Sequence, residues 1–211
     1  MTRRLVVLLA LTGLASCGSP RGTTVPGSAA GASKEHAMQE LDGALTQARQ
    51  DSRSHFSIDT LPTRQHLAAA AAAAPRAWEQ RPPLDQFFVF AVSPEAAAQA
   101  GRQLVARAYA AALESLIADW WGLPGSVRTE AAAQLVALGA DAEPLLLDLL
   151  GRDAPLTYDD GEANTLARRL GLQVSDLAAG LLAAIRGQRY DWRADTDARR
   201  SAREQLKQPH G

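Results

Sequence analysis

Hydrophobic residues recur at helical spacing along most of the chain, and this pattern predicts an all-α fold. Residues 34–53 carry Met38, Leu41 and Leu45 on one edge, which is typical of an amphipathic helix. The apolar run at residues 84–92 lies between prolines. Because a lone strand has no partner to pair with, we expect this run to form buried helix or extended core filler.

The clearest helix start is Ser93-Pro94-Glu95, which supplies an N-cap, a first-turn proline and an acidic first turn. We expect this helix to continue to about Trp121 and to end at Gly122. One face of it would then carry Leu104, Ala108, Ala112, Leu116 and Trp120.

Residues 127–150 contain two short amphipathic segments, with Gly139 placed as a C-cap and Asp141 as an N-cap between them. This order predicts a helical hairpin. In it Leu135, Leu138, Leu146 and Leu149 would face each other or the adjoining helices, and Arg128, Glu130, Gln134 and Asp148 would lie outward. The Ala-rich first segment ends in Leu-Gly, and the second opens with Ala-x-Pro before a Leu-rich face. In this respect the segment resembles a HEAT-like repeat.

A second, more divergent pair of helices is predicted at residues 165–170 and 174–185. Gly171 would end the first helix and Ser175 would be the N-cap of the next. The second segment, together with the turn at Tyr190, resembles the final unit of secreted bacterial HEAT-like proteins. The resemblance implies stacked helix pairs with a surface that binds other proteins.

Two architectures fit this pattern, an irregular helical bundle and a short HEAT-like α-solenoid. Repeat arrays use about three units to bury a continuous core, whereas two are recognisable here. We divide the folded part into an N-terminal α-helical region at residues 34–125 and a region of HEAT-like hairpins at residues 126–211. The second region closes with a polar helix at residues 196–208.

The N-terminus has the pattern of a secretory signal. Two arginines precede a short apolar run that ends in Leu14-Ala15-Ser16-Cys17. A transmembrane helix needs about 20 apolar residues, and a run of about half that length followed by small residues is typical of a cleaved signal. Residues 1–16 are therefore predicted to be a signal peptide.

Leu14-Ala15-Ser16-Cys17 resembles the lipobox of bacterial lipoproteins. The resemblance implies cleavage before Cys17 and attachment of lipid (diacylglyceryl, often with a further acyl chain) to this cysteine, which is the only one in the chain. Several acyl chains hold a protein at a bilayer stably. The alternative is an ordinary secreted protein whose single thiol has no disulfide partner.

Residues 17–33 are rich in Gly, Ser, Thr and Pro, and we expect them to form a flexible tether before folding begins near Lys34. Gly18 and Ser19 follow the cysteine, and lipoproteins of two-membrane bacteria without an aspartate there move on to the outer membrane. The resemblance therefore implies an outer-membrane anchor with the domain facing the periplasm. The inner membrane and the cell surface are the alternative locations.

The amino-acid composition supports a helical fold and excludes one class of partner. About a fifth of the residues are alanine, the strongest helix former. The formal net charge is −1, from 22 basic and 23 acidic residues without large blocks of either sign. Nucleic acid is therefore not an expected partner.

Candidate chemistry is sparse in this sequence. No nucleophile elbow, P-loop, dinucleotide or zinc-protease motif occurs. His36, His55, His66 and His210 are scattered, and no zinc set can be assembled from them with one cysteine. Acidic clusters at residues 159–162 and 191–197 lack the calcium-loop spacing and are interpreted as turns and helix caps. We predict no catalytic residues, no cofactor and no metal.

Trp120 and Trp121 are the one candidate partner surface, because tryptophan often anchors interfaces. Plain core is the alternative interpretation of this pair. The leading hypothesis is a membrane-anchored periplasmic lipoprotein that acts as a protein-binding or scaffolding module.

Two other hypotheses stay open. The second hypothesis is a structural envelope lipoprotein or a carrier of a small apolar ligand, held in a cavity between helices. Aromatic side chains would line that cavity, namely Phe87, Phe88, Phe90, Tyr109 and the tryptophan pair. An enzyme with a dispersed site, built from carboxylates such as Glu114 and Asp119, is the third hypothesis.

Overall fold

The computed structural model describes residues 28–208, and ten α-helices form most of this part. They are α1 (Ser28–Asp51), α2 (Arg64–Ala73), α3 (Pro83–Val92), α4 (Pro94–Ala100), α5 (Arg102–Ser115), α6 (Glu130–Ala137), α7 (Glu143–Leu149), α8 (Gly161–Leu170), α9 (Val174–Ile185) and α10 (Thr196–Leu206). Within the described part, the only β-type pairing is an isolated bridge between Pro155 and Gln173. The prediction of an all-α fold is confirmed.

The predicted signal peptide, Cys17 and most of the predicted tether lie outside the described residues. Helix α1 begins at Ser28, earlier than the expected start at Lys34. Among the helices of residues 28–208, none combines the length and apolar character that crossing a bilayer requires.

The helices pack around one continuous hydrophobic core. In the N-terminal half, α3 packs on α5 and α1 packs on α2. In the C-terminal half, α7, α6 and α10 surround α9, whose residues from Val174 to Ala183 are all buried. Helix α5 contacts both α6 and α7 and so joins the two halves.

The long helix expected from Ser93 to Trp121 is wrong in its length. The Ser93 hydroxyl does accept a hydrogen bond from the backbone N–H of Ala96 at 3.2 Å, as the N-cap prediction requires. Gly101, however, has φ 79° and ψ 154° and separates α4 from α5. This conformation is nearly restricted to glycine, so the chain turns here. Trp120 lies in a short 3₁₀ turn after α5.

Two of the predicted N-caps are also wrong. Asp141 forms an ion pair with Arg102 at 2.7 Å, and the backbone at Ala142 begins α7 without a side-chain cap. At α9 the N-cap is Gln173, which forms a reciprocal capping box with Asp176, so Ser175 lies inside the helix. The predictions for two glycines agree better with the structure. Gly139 and Gly171 were predicted to end helices, and they follow α6 and α8 with φ values of 55° and 61°.

Helices α6 and α7 have α9 and α5 as their main partners rather than each other. The leucines predicted to face inward, Leu135, Leu138, Leu146 and Leu149, are all buried. Three of the four residues predicted to face outward, Arg128, Gln134 and Asp148, are exposed, whereas Glu130 is half-buried. The resemblance of these helices to HEAT-like repeats stays a prediction.

A buried carboxylate fixes α10 against α9. Asp176 has no exposed surface, and its Oδ1 accepts hydrogen bonds from the Tyr190 hydroxyl and from Arg203 Nη1, each at 2.5 Å. The Arg199 Nε lies 3.3 Å from the same oxygen. Burial and the neighbouring Asp176 both raise the pKa of Tyr190, so its hydroxyl stays a donor.

Arg199 is only 2% exposed and is held mainly by backbone carbonyls. Its Nη1 donates to Ala194 O at 2.7 Å and its Nη2 donates to Leu170 O at 2.6 Å. Leu170 ends α8, so this guanidinium also satisfies a carbonyl that the helix leaves unpaired. The cluster of Asp176, Tyr190, Arg199 and Arg203 thus links α8, α9 and α10.

Helix α9 and the turn before α6 approach each other closely at Gly180. A Cβ atom built on Gly180 would lie 2.2 Å from the backbone nitrogen of Gly125 and 3.0 Å from its Cα. These are backbone atoms, so no side-chain rotation can relieve the overlap. Gly180 is therefore what allows residues 124–125 to lie directly on α9.

We expect Gly180→Ala to destabilise the protein by about 1–3 kcal/mol, because the turn at Gly125 must move away from α9. The matched control is Gly43→Ala in α1, where an added Cβ has no atom within 4 Å. That change should be neutral or should stabilise by roughly 0.5–1 kcal/mol, as alanine is the better helix former. Chemical denaturation of both variants measures the difference, and equal stabilities would contradict the close packing.

We expect Asp176→Asn to cost about 3–5 kcal/mol, because the amide leaves the buried guanidinium groups of Arg199 and Arg203 without a counter-charge. The control is Asp197→Asn in the first turn of α10, whose side chain is 88% exposed and pairs with Arg200. An exposed pair contributes little, so the control should melt close to the wild type. A similar melting temperature for both variants would show that the Asp176 cluster does not hold α10.

Candidate functional site

The tryptophan pair lies in the core and does not form a partner surface. Trp120 is 1% exposed and Trp121 is fully buried. The indole N–H of Trp120 donates to the backbone carbonyl of Ser52 at 3.1 Å, which ties the 3₁₀ turn to the end of α1. The interpretation of Trp120 and Trp121 as a docking site is therefore wrong, and the core alternative is confirmed.

Phe87 is the centre of an aromatic cluster around this pair. Its ring lies 4.8 Å from that of Tyr109 and 5.8 Å from that of Trp120, both edge to face. Phe88 also packs edge-on against Phe87 and Trp120. These rings fill the space between α3 and α5, so Phe87, Phe88 and the tryptophan pair do not line a ligand cavity as the carrier hypothesis expected.

Two of the predicted cavity residues do line a cleft. Phe90 and Tyr109 face a half-enclosed space of about 340 Å³ at the edge of α3, α4, α5 and α6. Its other apolar residues are Ala91, Val92, Pro94, Ala97, Val105 and Leu138, and its polar residues are Arg64, Glu130 and Gln134. Small-molecule sites in proteins begin at about 300 Å³, so the cleft is large enough for a small ligand.

Glu130 is the distinctive polar group of this cleft. It stands in the first turn of α6, after Thr129, whose hydroxyl caps the helix by accepting from Ala132 N at 3.3 Å. Its Oε2 is buried and has no hydrogen-bond partner among the described residues. Burial raises the pKa of the Glu130 carboxyl, repulsion from Asp59 raises it further, and Arg64 opposes both.

Tyr109 and Arg64 complete the polar surroundings of Glu130. Tyr109 is 5% exposed, and both burial and the charge of Glu130 raise the pKa of its hydroxyl. The phenol therefore stays neutral and able to donate. Arg64 lies at the mouth of the cleft and pairs with Asp59 at 2.5 Å. The group formed by Arg64, Asp59 and Glu130 holds two carboxylates against one guanidinium.

The carboxylates suggested for a dispersed enzyme site each have a separate partner. Glu114 pairs with Arg152 at 2.8 Å, and Asp119 accepts a hydrogen bond from the backbone N–H of Asp159 at 2.8 Å. The acidic clusters predicted to be caps contain Asp160 and Asp195, which cap α8 and α10. The structure therefore uses these carboxylates for packing and capping.

The histidines do not assemble into a ligand set in the described part of the chain. His36 and His66 both lie near Glu40, at 3.9 and 3.3 Å, in an exposed position. His210 lies outside the described residues. Over residues 28–208, no group of three metal-ligating side chains comes together.

Sequence reasoning found Phe90 and Tyr109 but missed Arg64 and Glu130. An acidic residue in the first turn of a helix has an ordinary explanation in the helix dipole, and no local signal separates Glu130 from other such residues. Its special position depends on packing between segments that are distant in sequence. The chain matches no known protein family, no curated protein and no solved structure.

Proposed function

We propose that this protein is a lipid-anchored protein of the bacterial cell envelope whose helical domain binds a small, largely apolar molecule. The observation that carries the binding role is the cleft of about 340 Å³ beside Phe90 and Tyr109. Its lining combines apolar residues with Arg64, Glu130 and Gln134, and small-molecule sites also combine apolar walls with a few polar groups. The role is binding rather than catalysis.

The anchoring role is supported by Leu14-Ala15-Ser16-Cys17. Lipid on Cys17 would supply the membrane affinity, since two or more acyl chains give stable attachment. Gly18 and Ser19 after the cysteine favour the outer membrane, with the domain in the periplasm.

A protein-binding or scaffolding role is the second candidate, and α1 favours it. Lys34, Glu35 and His36 are exposed, Met38 is 39% exposed, and Leu41 is buried. Lys34, Glu35, His36 and Met38 therefore offer a surface that a partner protein can reach. Extraction of cargo from the cleft separates this candidate from the first.

We expect Cys17→Ser to release the protein from membranes, because the substitution removes the sulfur that would carry the lipid. Sedimentation of envelopes at high salt measures the distribution of the wild type and the variant. Sucrose-density separation of the two membranes then tests the outer-membrane location. A variant that still sediments with membranes would contradict the anchor, and wild-type protein found mainly in the inner membrane would contradict the sorting.

We expect organic extraction of the protein purified from envelopes to release a small molecule in roughly stoichiometric amount. Ala97→Phe places a ring in the cleft and should reduce that amount by about tenfold, because the ring takes the space of the ligand. Ala98→Phe, on the exposed side of the same helix α4, is the matched control and should retain the cargo. Equal cargo in both variants would place the bound molecule elsewhere.

A further inference from the structure

We propose that the ligand of this cleft is a small organic cation with an apolar body, whose protonated amine donates an N–H hydrogen bond to the carboxylate of Glu130. This inference rests on the proposed binding function and adds the chemical class of the ligand. The observation that carries it is that Glu130 lines the same cleft as Phe90 and Tyr109, and that one oxygen of its carboxylate lacks a hydrogen-bond donor.

One oxygen of the Glu130 carboxylate lacks a hydrogen-bond donor. A carboxylate accepts hydrogen bonds and cannot donate, and leaving a buried acceptor unpaired costs about 1–3 kcal/mol. Glu130 Oε2 is buried without a partner among the described residues. The guanidinium of Arg64, whose charge acts on Glu130, is already paired with Asp59 at 2.5 Å. A ligand N–H would supply what the chain does not.

A ligand in the cleft has access to the Glu130 carboxylate. Glu130 as a whole is half-buried and lines the cleft, although its Oε2 is turned inward. The terminal torsion of a glutamate is broad and two-fold. Rotation about this torsion would turn Oε2 toward the cleft, where a ligand N–H can reach it.

The charges around Glu130 also favour a cation. Arg64, Asp59 and Glu130 comprise one guanidinium and two carboxylates, and Asp59 repels the Glu130 carboxylate. A cation relieves this repulsion, whereas an anion increases it. A neutral ligand gains the hydrogen bond but not the charge-assisted part of it.

Aromatic residues also favour a cation. Phe90 and Tyr109 line the cleft, and an aromatic ring attracts an ammonium or guanidinium group placed over its face. Phe90 is fixed by an edge-on contact with Trp78, with ring centroids 5.1 Å apart. Val105 and Leu138 provide the apolar surface against which the body of the ligand would lie.

The test uses the full lipidated protein in lipid nanodiscs and three probes on one frame, benzylammonium, benzyl alcohol and benzoate. Saturation-transfer NMR titrations, corrected with empty nanodiscs, give the affinities. We expect benzylammonium to bind about tenfold or more tightly than benzyl alcohol, the effect of one charge-assisted hydrogen bond, and benzoate to bind most weakly.

Glu130→Gln should remove the preference for the ammonium over the alcohol and keep the binding of the alcohol. Glu162→Gln is the matched control, because Glu162 is an exposed acidic residue in the first turn of α8. Circular dichroism melting of both variants confirms that they are folded, and the control should keep the full preference of the wild type.

The outcomes separate the ligand class from the binding function. Equal affinity for all three probes, tightest binding of benzoate, or an ammonium preference that survives Glu130→Gln would overturn the cationic ligand and leave a binding cleft. If no probe binds, the cleft is not a binding site and both proposals fail. The same conclusion follows if neither Ala97→Phe nor Ala98→Phe changes the affinity of any probe.

Discussion

A carboxylate that is removed completely from water must find its compensating charges inside the protein, and Asp176 imposes this requirement on the C-terminal half. Helix α10 has few apolar side chains, and Leu206 is its one large hydrophobic residue in the core. The helix is therefore held by Arg199 and Arg203, which reach Asp176 and the end of α8. Charge and hydrogen bonding position this element where hydrophobic burial alone would not.

The N-terminal half is held in a different way. Rings around Phe87 and the two tryptophans fill the space between α3 and α5 and leave no room there. The cleft lies where this packing stops, beside the small side chains of Ala91 and Ala97 on α3 and α4. Gly101 separates α4 from α5. The cleft is lined by residues on both sides of this break, Ala97 of α4 and Val105 of α5.

Local signals in the sequence were sufficient to predict most helices. They were insufficient to predict where one helix ends and the next begins. The run at Val174–Ile185 is largely apolar and bounded by loops, and the structure has a helix with those bounds. Gly101 was predicted to be inside a helix, because a single glycine between alanine-rich segments does not disturb the periodicity. Asp141 was predicted to be a cap, and its actual partner Arg102 belongs to another helix. The candidate site shows the same division, since Phe90 and Tyr109 lie in strongly apolar segments, whereas the place of Glu130 depends on Asp59 and Arg64 from a distant part of the chain.

The close approach of Gly180 and Gly125 has an evolutionary consequence. A side chain at position 180 is excluded for as long as the turn at residue 125 stays on α9. A lineage that acquires alanine or serine at position 180 must also lengthen or reshape that turn. Across related chains the two positions should therefore vary together, and in protein design the pair should be treated as one choice.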